Sequence, residues 1–170
     1  MNFKDITVGI VAFNSEKVIF ECIKSIKKIK NIIIFDNSND KELEKNFSKN
    51  YPNIKFVLSK KNLGYGAGNN KILNLCKTKY LFILNPDTIL KKNCEIELLK
   101  TLNKHNHDIS VLAPVLNDKN YGFFSKFKKS KSNKLFKVDY VKGFAMLVDI
   151  KKVRKIGKFD ENFFLYLEEI

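Results

Sequence analysis

The residues best suited to chemistry stand at the ends of apolar runs. Asn85-Pro86-Asp87-Thr88 follows the run Tyr80–Leu84. A carboxylate just past a buried strand suits a hard divalent cation, magnesium or manganese. Such ions take oxygen ligands and leave several positions to water or substrate phosphate. Pro86 stiffens the turn that presents Asp87. The same residues also read as an ordinary Pro-Asp turn in which Asp87 caps the next helix. Asp36 ends another run and opens the cluster Asp36-Asn37-Ser38-Asn39-Asp40. Its carboxylate can accept the imide N–H of a uracil or thymine ring, or it can organise an Asx-turn. Phe13 and Asn14 close the run Ile6–Phe13, where the Phe13 ring either stacks on a base or joins the core.

Two further groups carry chemical potential. Asn62-Leu63-Gly64-Tyr65-Gly66-Ala67-Gly68-Asn69-Asn70 is a glycine-rich loop opening a helix. Its glycines let backbone amides approach a ligand, and a helix N-terminus favours anions. It lacks the lysine and Ser/Thr of a phosphate-binding P-loop, and it follows a third strand rather than a first. Glu168 and Glu169 follow Phe163-Phe164-Leu165-Tyr166-Leu167. Like charge and burial beside aromatics suit one of the pair to act as a general base; a solvated pair near a terminus is the other reading. His105 and His107 lie two residues apart at a helix end, point away from one another, and read as surface residues.

The elements that must position these residues alternate. Strands are expected over Ile6–Phe13, Asn31–Phe35, Ile54–Leu58, Tyr80–Leu84, Ile109–Ala113 and Asp139–Val148. Helices are expected over Glu16–Ile29 with Ser15 as N-cap, and over Lys41–Phe47, Ala67–Cys76, Glu95–Leu102 and Lys151–Ile156. That alternation predicts an α/β fold with a mainly parallel central sheet and helices on both faces. In such sheets ligands bind beyond the carboxyl ends of the strands. Asn14, Asp36 and Asp87 all fall there. Residues 117–134 are rich in lysine, serine and phenylalanine without a period, and read as a long, mobile loop or a hairpin on the rim of the site.

Composition bounds the partners. The chain has 170 residues, 44% of them apolar, which suits one domain with its own core. The formal charge is +14, and Arg154 is the only arginine. Readers of nucleic-acid bases favour the planar guanidinium, so a lysine excess argues against a nucleic-acid partner. It fits either a field toward anionic substrates or lipid head groups, or lysines that are simply solvated. Cys22, Cys76 and Cys94 lie far apart with no Cys-x-x-Cys spacing, which argues against disulfides and zinc. No stretch reaches the ~18–20 apolar residues of a membrane span. The opening apolar run is too short for a signal peptide. The expected location is cytoplasmic, with peripheral contact at the inner membrane face as an option.

Six segments resemble the family-2 glycosyltransferases with a GT-A fold, closest to the rhamnosyltransferase-like branch that builds bacterial surface polysaccharides. They are VGIVAFNSE at Val8–Glu16, IIIFDNS at Ile32–Ser38, NLGYGAGNN at Asn62–Asn70, LFILNPDT at Leu81–Thr88, DYVKGFAML at Asp139–Leu147 and GKFDENFFLYLEE at Gly157–Glu169. The resemblance implies a single catalytic domain over 1–170. Residues 1–114 would form the nucleotide-sugar-binding half; 115–170 would form the rim loop and the start of the acceptor half. It implies transfer from a dTDP- or UDP-linked sugar to a glycan or lipid-linked acceptor with inversion. Phe13, Asn14, Asp36, Asn62, Gly64, Gly68, Asn70 and Asn85 would serve the nucleotide, and Gly143 the donor sugar. Asp87 would hold the metal as the last position of the family's D-x-D motif, whose first position here is Asn85. Glu169, with Glu168 as alternative, would be the base; relatives usually read Glu-Asp there and continue well past it. A donor-binding domain that needs a partner for catalysis is the alternative reading.

Overall fold

The computed structural model describes residues 1–105, 109–115, 135 and 137–164. Six strands form one sheet: β1 (Ile6–Ala12), β2 (Asn31–Asp36), β3 (Ile54–Leu58), β4 (Tyr80–Leu84), β5 (Val111–Leu112) and β6 (Ala145–Asp149). Their order is β3-β2-β1-β4-β6-β5. β1 pairs in parallel with β2 and β4, and β2 with β3, while β6 runs antiparallel to both β4 and β5. β4 is the apolar run YLFIL, buried at every position. A strand covered on both faces has no use for alternation.

The helices are α1 (Ile19–Ser25), α2 (Lys41–Asn50), α3 (Tyr65–Leu75), α4 (Cys94–Lys104) and α5 (Ile150–Ile156). Ile19, Cys22 and Ile23 of α1, Leu43 and Phe47 of α2, and Leu98 and Leu102 of α4 join one apolar cluster. Ile72 and Leu73 of α3 and Ile150 of α5 join the second. Helices therefore cover both faces of a mainly parallel sheet, as the alternation predicts. The chain winds β1, β2, β3 outward in one direction, then returns to place β4 on the other side of β1. The carboxyl ends of β1 and β4 thus flank the point where the winding reverses, which opens a crevice in such folds.

Several boundaries differ from the sequence expectation. α1 stops at Ser25 because the next amides are captured elsewhere: those of Lys27, Lys28 and Ile29 donate to the Glu95 carboxylate. Ser15 is not the N-cap of α1. Val18 holds that place without a side-chain bond, and the Ser15 hydroxyl instead exchanges hydrogen bonds with the backbone of Phe13. α3 starts two residues early, at Tyr65, because Gly64 at φ 83° supplies the turn. The last strand begins at Ala145 rather than Asp139, and its pairing partner β4 sets that limit, with Leu84 opposite Ala145. The 117–134 loop lies outside the described residues.

Candidate functional site

Register aligns the expected site residues on one rim. Ile10 of β1 pairs with Leu84 of β4, so Phe13 and Asp87 each lie three positions beyond that pair. Ala12 pairs with Asp36. Because β6 is antiparallel to β4, its first residues, next to Gly143 and Phe144, reach the same rim. Five loops converge there, from the ends of β1, β2 and β4, the entry to α3 and the entry to β6.

Around Asp87 the turn is tightly built, and the carboxylate is unpartnered among the described residues. The Asn85 amide donates to the Phe144 carbonyl at 2.8 Å, and the Thr88 hydroxyl reaches the same carbonyl at 3.3 Å. The Thr88 amide donates to the Asn85 carbonyl, closing the turn. Asp87 itself is exposed and makes no hydrogen bond or ion pair among the described residues. It does not cap the following helix, whose N-cap is Asn93. Its charge is felt by Cys22, whose thiol donates to the Asn85 carbonyl. Burial, and then the Asp87 charge, push that thiol up to about 12.

Asp36 takes the turn-forming role. Its side chain is fully buried, accepting the Ser38 hydroxyl and amide on one oxygen and the Asp40 amide at 2.8 Å on the other. Its oxygens order the loop into α2, which is the Asx-turn role that the sequence also offered for it. Phe13 departs from the core reading: it is 51% exposed, lifted out of the sheet as the chain passes through Asn14 at φ 48°.

The glycine loop is wired to the rim by a residue that sequence reasoning passed over. Asn37 donates to the Gly64 carbonyl and accepts the Leu63 amide, which binds the loop to the end of β2. Only its place in the Asp36–Asp40 polar cluster hinted at this. Asn62 accepts the Gly64 amide and so shapes the turn. Gly68 allows close packing, since a Cβ there would stand 2.8 Å from Val11. The entry to α3 is not an open anion site: the Tyr65 amide donates to the Phe164 carbonyl at 3.2 Å, and a Cβ on Gly64 would collide with that oxygen.

Asn70 ties α3 to a later segment of the chain. Its buried amide exchanges two hydrogen bonds with the Phe159 backbone and a third with Glu161, locking the 159–164 segment onto α3. Gly143 faces the same helix, its carbonyl accepting the Tyr65 hydroxyl. Glu168, Glu169 and His107 lie outside the described residues, and His105 is the half-buried C-cap of α4. Cys22, Cys76 and Cys94 are free thiols.

The donor set at the rim has a definite chemical character. Among the described residues no three His, Cys, Asp or Glu side chains gather to chelate a metal. A single exposed carboxylate, unpaired among the described residues, fits a hard, largely hydrated cation that draws its other ligands from phosphate, and does not fit a closed structural metal. No helix among the described residues is long and apolar enough to cross a membrane.

Known proteins share both pattern and architecture. An uncharacterized glycosyltransferase of Methanocaldococcus jannaschii is 30% identical over 92% of this chain. The low-salt glycan biosynthesis hexosyltransferase Agl10 of Haloferax volcanii is 27% identical over 98% of it. The chain spans 59% of the length of each. Among solved structures, S. aureus TarS 1–349 in complex with UDP superimposes with a TM-score of 0.76 at 17% identity, covering 99% of this chain and 53% of that one. The mannosyltransferase PcManGT of Pyrobaculum calidifontis, in complex with GDP-Man and Mn2+, gives a TM-score of 0.71 at 11% identity, over 93% and 48% of the two chains. These likenesses identify the sheet and its helices as the GT-A fold. The model of Glycosyl transferase family 2 matches residues 7–159, and the chain belongs to that family.

Proposed function

We propose that this chain moves a sugar from a nucleoside-diphosphate donor, UDP- or dTDP-linked, to a glycan or lipid-linked acceptor with inversion at the anomeric carbon. The observation that carries the reading is the exposed, unpaired Asp87 carboxylate at the point where the sheet reverses its winding. The relatives named above, solved with UDP or with GDP-Man and Mn2+, support a donor and a divalent cation of this kind.

Exposed Phe13 supplies a flat apolar surface for the base, with Asn14 beside it. Asn85 and Asp87 face the diphosphate, Asp87 holding magnesium or manganese through one carboxylate. A cation held there supplies positive charge against the charge that grows on the departing diphosphate. Gly143, pinned by Tyr65, borders the donor sugar. Residues 1–114 bind the donor and 115–170 begin the acceptor side of a single domain. The acceptor hydroxyl attacks the anomeric carbon from the face opposite the diphosphate; the new C–O bond forms as the bond to the diphosphate breaks. Glu169, or Glu168 in its place, takes the hydroxyl proton.

Calorimetry with UDP and with dTDP, each with and without manganese, tests the donor side. Binding strengthened by manganese in the wild type and insensitive to it in Asp87→Ala is expected. Equal affinity in all conditions overturns the metal role. A domain that binds the donor without completing transfer is a second reading, favoured by Asn85 standing where a second metal-holding carboxylate would be expected. Release of UDP from UDP-GlcNAc by the purified chain excludes it.

A further inference from the structure

Among the described residues a group of lysines gathers at one concavity, and that grouping points to a partner. Two concavities on the described surface allow a direct comparison. One, of about 480 Å³ beside α2, is lined by two lysines, Lys45 and Lys49, against three acids. The other, of about 620 Å³ between α1 and the β4–α4 loop, is lined by five lysines against two glutamates. Acids outnumber lysines in the first, and lysines outnumber acids in the second.

The basic face is also built to hold its charge in place. Glu95 is buried and its carboxylate is occupied by the amides of Lys27, Lys28 and Ile29, so it fixes their backbone from beneath. The Ser25 hydroxyl accepts the Leu90 amide and staples the second loop to the first. Two loops, one carrying Lys27 and Lys28 and the other Lys91 and Lys92, are thus joined with all four side chains exposed. Among the described residues none of these four has a carboxylate within ion-pair distance; of the five lysines lining the concavity Lys24 is paired, with Glu21. Beside them Ile89 stands 62% exposed.

We infer that this face docks on an anionic bilayer surface. Lysines near such a surface each strengthen attachment, and an exposed aliphatic residue among them enters the head-group boundary. Nucleic acid is the poorer match: the face has no arginine for base edges and no aromatic ring for stacking, and an aliphatic side chain gains nothing from phosphates. The inference gives the lipid-linked acceptor of the proposed function a physical setting. It does not depend on the transfer chemistry, because vesicle binding and nucleotide binding are measured separately and each can fail alone.

Co-sedimentation of the full chain with vesicles tests it. Phosphatidylcholine vesicles containing about one-third phosphatidylglycerol are compared with pure phosphatidylcholine at physiological salt. The wild type is expected to bind the anionic vesicles and not the neutral ones. Lys28→Glu with Lys92→Glu should weaken binding at least about 25-fold, at about fivefold per lysine lost. Lys45→Glu with Lys49→Glu changes the net charge equally on the acidic concavity and should stay within about threefold of wild type, since distant charges are screened. Ile89→Ser should cost several-fold without changing charge. Equal losses from both double variants would show diffuse attraction only and overturn the assignment. So would equal binding to neutral vesicles, or a DNA duplex held more tightly than the anionic vesicles at the same salt.

Discussion

Asn70 and Cys22 show how single side chains divide between structure and site. The Asn70 amide satisfies both the N–H and the C=O of Phe159 in a buried setting, a pairing equivalent to one rung of sheet inside a helix packing. Asn70→Ala should therefore cost about 2–3 kcal/mol in urea unfolding, since it leaves two buried backbone groups unpaired. Its effect on nucleotide affinity should be secondary to that loss. The Cys22 thiol is raised to about 12 by burial first and the Asp87 charge second. A folded-state pKa above the unfolded value, about 8.5, contributes stability that is fully present below that value. That contribution is lost as pH rises from there toward about 12. The stability of the wild type should fall across this window more steeply than that of Cys22→Ala, compared by thermal melts at stepped pH. Parallel profiles would count against the burial of an uncharged thiol.

Among the elements, the short α1 and the β4–α4 connection are governed by one carboxylate. Periodicity favours a helix running on to Ile29, yet Glu95 draws three successive amides away from helical geometry. Glu95→Ala should cost about 2–4 kcal/mol, because several part-buried donors lose a charged acceptor together. Hydrogen exchange at residues 27–29 should accelerate in the same variant. Glu95→Gln, which keeps one acceptor oxygen, should lose less on both measures. A lysine-bearing loop held by a buried acid is thus an element-scale device, and the proposed bilayer-docking face depends on it.

The sheet joins these parts into one body and separates stability from recognition. Phe82 is fully buried at the centre of β4, while Phe13, one strand over and beyond the rim, is half exposed. Phe82→Ala should destabilise by about 3–5 kcal/mol. Phe13→Ala should leave stability within about 0.5 kcal/mol of wild type and instead weaken UDP binding in calorimetry. If Phe13→Ala unfolds the chain as Phe82→Ala does, the stacking role has no basis. β6 pairs with both β4 and β5, so the later part of the chain completes the sheet begun by the earlier part. Much of this was legible beforehand. Apolar runs and helical periodicity determine the parallel core strands, both helix layers and the rim on which Asn14, Asp36 and Asp87 fall, because local burial patterns record which faces are covered. Which side chains at that rim are spent and which are free was a tertiary matter. Asp36 and Asn70 satisfy neighbours whose identity depends on how the chain folds back, whereas Asp87 and Phe13 are left exposed. A polar residue's type shows what it can bond, and only the assembled backbone decides what is there to bond it.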